Sequence, residues 1–342
     1  MKNIKYFIAI LSLLCASCTN NYTDCSDASC NTLLTMLLYS GNADTSIFVA
    51  VGQNGTLRTS TDGHNWNQQS LAVTTLNGIG LGTDMLYAAG ANDTAFASTN
   101  GLSWTQLASL NTGTSDSYFA IANYNGILVA GGSAGVGQVR RSTDGGQSWT
   151  NLAITNAMTQ LEDLEVGGNQ LRGVNGNGDY MYFNSDATAH SATTPTGLGS
   201  GLTALAYCDG VWVVVAPAGY IARTANDGAT WNNQVTDATF NLEDVACGNG
   251  RFVAVGHNGT NAGVFTSQDA GFTWVKSNPP FGRTRGVAYG SGKFVIVGNG
   301  GLIAYTTIPE ISTGWTDVST GTDHSFDISS LNGTRFRLVG TL

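Results

Sequence analysis

The strongest constraint on this chain is that it repeats itself. Phe48-Val49-Ala50-Val51-Gly52 returns as Phe252-Val253-Ala254-Val255-Gly256 and again as Phe294-Val295-Ile296-Val297-Gly298. Weaker copies begin at Leu86, Leu128, Leu171, Trp212 and Phe336. The first residues of the eight runs lie 38, 42, 43, 41, 40, 42 and 42 residues apart. A fixed period of this length marks an architecture in which each unit buries its apolar face only against its neighbours.

Within a unit the pattern is that of short strands. A strand precedes each run and turns into it through Asn125-Gly126, Asp209-Gly210, Gly248-Asn249-Gly250, Gly290-Ser291-Gly292 or Asn332-Gly333. Such pairs form tight hairpins because both central residues tolerate positive φ. A third strand follows each run and closes in a boxed turn. The boxes are Ser60-Thr61-Asp62-Gly63-His64-Asn65-Trp66, Ser98-Thr99-Asn100-Gly101-Leu102-Ser103-Trp104 and Ser142-Thr143-Asp144-Gly145-Gly146-Gln147-Ser148-Trp149. Two more are Thr224-Ala225-Asn226-Asp227-Gly228-Ala229-Thr230-Trp231 and Ser267-Gln268-Asp269-Ala270-Gly271-Phe272-Thr273-Trp274. Near Asp186 the Trp is missing, and the last unit keeps only Trp315. Asp62, Asn100, Asp144, Asp227 and Asp269 are read as the residues that bond backbone amides and set the turn. Trp66, Trp104, Trp149, Trp231 and Trp274 then start the next strand with a large apolar surface. These residues are read as structural, with no chemistry of their own.

Four short strands per unit of about forty residues fit a propeller blade. The expected fold is an all-β propeller of seven blades, each of four antiparallel strands, with residues 325–342 closing the ring; an eighth, incomplete blade is the alternative. The boxed turns resemble the Asp-box, or bacterial neuraminidase repeat, of the sialidase-like superfamily, and the resemblance spans residues 33–342. The pattern Val-Gly-x-x-Gly followed by Ser-x-Asp-Gly-x-x-Trp is most similar to photosystem II stability/assembly factor-like repeats. That resemblance implies a blade hairpin and says little about function. Those assembly factors share an arginine-rich patch, whereas this chain has only 14 Lys plus Arg in all.

The first residues read as a targeting segment. Lys2 and Lys5 precede an apolar run over residues 6–14, too short for an ordinary membrane span. Leu14-Cys15-Ala16-Ser17-Cys18 resembles a bacterial lipoprotein signal, with Cys15 where such signals prefer Leu. Residues 1–18 are therefore read as the signal, Cys18 as the lipidated residue, 19–31 as a polar tether and 32–342 as a single propeller domain. An ordinary signal peptide cleaved nearby is the alternative. The expected location is the bacterial cell envelope, at the outer membrane or cell surface, with the lipid as the membrane contact. Export permits disulfides. Cys25 and Cys30 could pair. Cys208 and Cys247 fall at matching positions of neighbouring repeats and could pair or serve as small buried apolar residues, the latter being the favoured reading.

Charged residues make up 11% of the chain and the net charge is -9. No basic stripe exists to meet phosphates, so nucleic acid is not an expected partner. No Cys or His spacing suggests a zinc site, and no metal or cofactor is expected. Gly131-Gly132-Ser133-Ala134-Gly135 fits a nucleophile elbow, and Gly290-Ser291-Gly292-Lys293 starts like a phosphate loop. Both lie among blade strands where the required helix is absent from the pattern. The four His residues (His64, His190, His257, His324) are scattered. A sialidase would need an arginine triad and a Phe-Arg-Ile-Pro motif, and neither can be assembled. Glu162, Glu165, Glu243 and Glu310 are the only glutamates.

One constellation stands out when the strands preceding the runs are aligned. Glu162-Asp163, Glu243-Asp244, Arg285-Gly286 and Asp327 occupy a column that holds Asn77-Gly78, Phe119-Ala120 and Thr203-Ala204 elsewhere. In a propeller this column lies at the mouth of the central channel. Glu162, Asp163, Glu243, Asp244, Arg283, Arg285 and Asp327 are thus the candidate binding residues. The expected function is a non-catalytic binding or scaffold module for an envelope protein or a glycan. A sialidase-like or other glycoside hydrolase and a structural envelope protein without ligand are the alternatives.

Overall fold

The computed structural model describes residues 47–71, 75–82, 85–110, 116–133, 139–152, 160–188, 190–195, 201–319 and 338–339. Cys18, the tether, Cys25, Cys30 and Asp327 lie outside the described residues. Among the described residues the strands form seven four-stranded antiparallel sheets, and each sheet is one blade of a seven-bladed β-propeller. Blades 2 to 7 each use four consecutive strands, from Leu76–Leu81 at the start of blade 2 to Thr316–Asp317 at the end of blade 7. Blade 1 is assembled from both ends of the domain. Phe48–Val51, Thr56–Ser60 and Asn67–Ser70 form its outer three strands, and Leu338–Val339 is its innermost, with Val49 opposite Val339. The last repeat therefore completes the first blade and does not begin an eighth. Closure of this kind removes the open edge and the exposed seam that a row of seven blades would keep.

Burial is greatest in the second strands and lowest at the outer edge. Phe48–Val51 and Val211–Ala216 are buried throughout, whereas the outermost Asn67–Ser70 is exposed and polar. Strands covered on both faces read as continuous apolar runs, which is why the Phe-Val-Ala-Val segments were so legible. The hairpins between first and second strands take positive φ at both Asn125 and Gly126, Asp209 and Gly210, and Asn249 and Gly250.

Seven apolar clusters fill the seven seams between blades, and six of them include a tryptophan. Each tryptophan packs back against the preceding blade: Trp66 joins Phe48, Val295 and Val297 in the seam of blades 7 and 1, and Trp104 joins Val49 and Leu57 in the next. The seam of blades 3 and 4 uses Phe183 and Ala187 instead.

The boxed turns share one hydrogen-bond plan. Asp62 Oδ1 accepts the amides of His64 and Asn65, both at 2.8 Å, while Ser60 Oγ accepts the Gly63 amide at 2.8 Å. Trp66 Nε1 donates to the Gly63 carbonyl. Asn100, Asp144 and Asp269 repeat the plan, each with the Ser hydroxyl two positions earlier donating to the amide or carboxylate oxygen. Burial opposes ionisation of Asp62, yet the Asn65 and His64 amides outweigh it and hold the carboxyl well below the usual range.

Blade 5 requires a correction. Asn226, not Asp227, fills the box: its Oδ1 accepts the Thr230 amide at 2.9 Å, and Thr224 Oγ1 donates to it. Asp227 turns to blade 4, where it accepts from Arg172 Nη2 at 2.6 Å and Tyr180 Oη at 3.0 Å. The hydroxyl-to-acceptor spacing of two residues, constant across the boxes, selects Asn226. A second correction concerns the cysteines. Cys208 and Cys247 form a disulfide, with Cα atoms 5.8 Å apart, and join the inner strands of blades 5 and 6. Buried thiols were the favoured expectation, but matching positions in adjacent inner strands bring the Cα atoms within disulfide range.

Candidate functional site at the channel mouth

The mouth is built on a recurring irregularity. Five inner strands shift register at their second residue, between Leu76 and Gly78, Tyr118 and Ala120, Leu161 and Asp163, Leu242 and Asp244, and Thr284 and Gly286. The extra residues are Asn77, Phe119, Glu162, Glu243 and Arg285. A bulge leaves its extra residue out of the ladder and re-aims the side chain. Three of the residues that the repeat alignment singled out, Glu162, Glu243 and Arg285, are therefore ones the backbone frees from pairing.

Glu243 is the centre of a network between blades 6 and 7. Arg285 Nη1 donates to Glu243 Oε1 at 2.9 Å, and His257 Nε2 lies 3.1 Å from the same oxygen. His257 Nδ1 accepts the Gly259 amide at 3.0 Å, which holds the ring with Nε2 on the Glu243 side. Arg285 Nε donates to Asn299 Oδ1 at 3.2 Å, and Arg283 Nε donates to the Gly259 carbonyl. The side chains of Arg285 and Glu243 remain 14% and 17% exposed, so the pair is open to a ligand on one side. On blade 4, Glu162 is buried and accepts from Gln160 Nε2.

The structure brings Glu243, Arg283 and Arg285 together, with His257 and Asn299. It does not leave Asp163 and Asp244 at the rim. Asp163 Oδ2 accepts the Leu205 amide at 3.1 Å, and Asp244 Oδ2 accepts the Val287 amide at 2.9 Å. Each carboxylate thus ties its inner strand to that of the next blade. The third position of these strands faces the neighbouring backbone: at Gly78 an added Cβ would sit 2.3 Å from the Phe119 carbonyl oxygen. An acid there meets main-chain amides before it meets solvent, so the two aspartates are corrected from rim ligands to inter-blade ties.

Two groups escaped the sequence reading. The first is the network of Arg172, Asp227, Tyr180 and Gln170 across blades 4 and 5, with Arg172 buried. Burial disfavours the Asp227 carboxylate, but the Arg172 bonds and charge outweigh it and lower its pKa. The second is Glu165, which lines a cavity of about 240 Å³ inside the channel together with Ile79, Ile121, Leu205, Tyr207, Asp244 and Tyr289. Repeat alignment carried three residues further would have found it.

No family model and no curated protein matches this chain. Solved structures do. One described as YCF48 bound to D1 peptide aligns with a TM-score of 0.55 at 19% identity, covering 75% of this chain and 89% of that one. YCF48 from Cyanidioschyzon merolae aligns at 0.54 and 12% identity, over 74% of this chain and 92% of the other. The GH74 enzyme of Niastella koreensis aligns at 0.50 and 15% identity, over 79% of this chain and 56% of that one. At these identities the likeness establishes the propeller fold.

Proposed function

We propose that this protein is an exported, lipid-anchored propeller that binds a protein partner, through a segment of that partner laid across the channel mouth. The observation that carries the reading is the Glu243–Arg285 pair with His257. In a chain with 11% charged residues, Glu243 and Arg285 sit on bulges at one rim and keep an open side, and His257 ends the adjoining strand beside them. Paired charges with fixed geometry favour register and choice of partner more than raw affinity. The peptide-bound YCF48 structure supports a peptide as the bound form.

The test is an affinity capture from envelope extract with the chain from Asn31 onward as bait. The double variant Glu162→Lys/Glu243→Lys is the control, its fold verified by circular dichroism and thermal melting. A protein held by the first bait and lost by the folded control supports the rim. Equal retention by both removes it. The GH74 likeness supplies the competing reading. Hydrolysis of aryl glycosides that disappears in Glu243→Gln would replace the binding function with a catalytic one.

A further inference from the structure

Glu165 breaks a rule that the neighbouring blades obey. Three residues after Asn77, Phe119, Thr203, Glu243 and Arg285, the inner strands of blades 2, 3, 5, 6 and 7 carry Gly80, Ala122, Ala206, Ala246 and Ala288. The reason is steric. At Gly80 a Cβ would lie 1.8 Å from the Ile121 carbonyl oxygen, so the inner strands of adjacent blades approach backbone to backbone. Among the described residues only blade 4 carries a long, ionisable side chain in this column. It is partly exposed, and what it is exposed to is the cavity of about 240 Å³ within the channel. Among the described residues its carboxyl group has no hydrogen-bond partner. A structural acid in this ring looks different: Asp163 and Asp244 each engage a main-chain amide of the next blade.

The walls define what could neutralise it. Leu164, Val166, Leu205, Val287 and Ala288 are apolar, Tyr207 and Tyr289 add aromatic surface, and Asp244 is the second acid lining the space. Cys247, in the disulfide, does not titrate. Among the described residues no basic side chain lines it. A bare metal ion would require several oxygen or nitrogen ligands. Among the described residues no group of three such side chains is placed to hold one. One carboxylate among hydrocarbon and tyrosine suits instead a cation with an apolar stem, whose methylenes meet the walls while the charged head meets the acid.

We propose that the central channel is a binding pocket for an alkylammonium or guanidinium group, with Glu165 as its counter-ion. The cavity is smaller than pockets for drug-sized molecules, which run from about 300 Å³ upward, and fits a single short amine or the end of a lysine or arginine side chain. Burial, with Asp244 adding to it, pushes the empty Glu165 up to about 8. The ligand binds the ionised form, so the proton must leave on binding. Apparent affinity therefore rises tenfold per pH unit up to about 8 and levels off above it, while an alkylammonium stays charged to about pH 10.

Calorimetric titration of the full chain with n-butylammonium chloride, a capped lysine peptide and n-butanol tests this at pH 7 and pH 9. Glu165→Ala is the main control, because alanine is what blades 3, 5, 6 and 7 carry there, and Glu165→Gln keeps the size without the charge. Saturable binding of at least one cation at pH 9, weaker at pH 7 and reduced tenfold or more in both variants, is expected, with none for n-butanol. Binding of the peptide alone identifies a partner's side chain as the natural source, and binding of the free amine alone a small metabolite. No cation binding at pH 9, or binding that survives in Glu165→Ala, overturns the proposal. The measurement involves no partner protein, so its failure leaves the rim reading untouched, and the reverse also holds.

Discussion

The two ends of each blade obey different rules. At the boxed turns, blades 1, 2, 3, 5 and 6 place a hydroxyl and an Asp or Asn in the same hydrogen-bonded arrangement and follow it with a Trp. Along the inner strands the blades diverge: the bulge position holds Asn77, Phe119, Glu162, Glu243 and Arg285, and three residues further on, among the described residues, only Glu165 departs from Gly or Ala. Repetition serves a seam that every blade must fill. Divergence occurs where side chains face a shared space and each blade can contribute something different. The repeat that holds the ring together is thus also the background against which the functional residues become visible.

The largest test of that contrast is a seam tryptophan. Trp104→Ala should lower stability by about 3 kcal/mol, the low end for a large aromatic because its indole is only partly buried. Urea unfolding at neutral pH measures it. A loss below about 1 kcal/mol would mean the boxes do not govern the seams. Next in size is the buried tie of blades 4 and 5. Arg172→Ala should cost about 2 kcal/mol, less than a fully buried pair because Asp227 is 34% exposed. Since Arg172 lowers the Asp227 pKa, that contribution exists above the ordinary carboxylate range and disappears as pH falls through it. The gap between variant and wild type should therefore narrow in acid without closing, because Arg172 also donates to the Leu171 carbonyl and covers the Tyr182 ring, and unfolding curves at two pH values would show it.

Smaller again is the single turn acceptor. Asp144→Ala should cost less than either, since Asp144 Oδ1 serves two exposed amides that water can partly satisfy. Asp163→Ala should exceed it, because the Leu205 amide it leaves behind is buried. Equal losses at the two sites would erase the distinction between turn acids and inter-blade ties. The smallest effect near pH 5 has the opposite sign. Glu165 has an ordinary value of 4.5 and is raised to about 8 in the folded protein. Below 4.5 it is neutral in both states; from there to about 8 only the unfolded chain releases the proton, so the wild type loses stability as pH rises. Melting temperatures of Glu165→Ala relative to wild type should therefore climb between pH 5 and pH 8 and stay level above. A constant difference would show that Glu165 is not a strained acid.

Much of the site was legible and part of it was not, for reasons specific to each residue. Glu162, Glu243 and Arg285 were found because a repeat alignment reports the same column that the bulges free from pairing. Asp163 and Asp244 were found with them and misjudged, because adjacent letters in a strand gave no sign that one side chain faces the next blade's amides. Asp227 was misjudged by one position, although the constant spacing from the Thr224 hydroxyl pointed to Asn226. His257 was one of four scattered histidines; its 3.1 Å approach to Glu243 depends on the pairing of the first two strands of blade 6 around the bulge.

By itself the sequence determined the period, the strand pattern, the hairpins and the boxed turns, since each rests on bonds made within a few residues of chain. Positive φ at Asn125 and Gly126, or the Asp62 carboxylate on the amides of His64 and Asn65, requires no distant partner. Only the tertiary structure decided that Leu338–Val339 completes the first blade, that Cys208 bonds Cys247, and that Glu165 faces the channel. Those outcomes depend on the distance and rotation between neighbouring blades. Seam packing over the whole ring sets these quantities, and no single repeat encodes them.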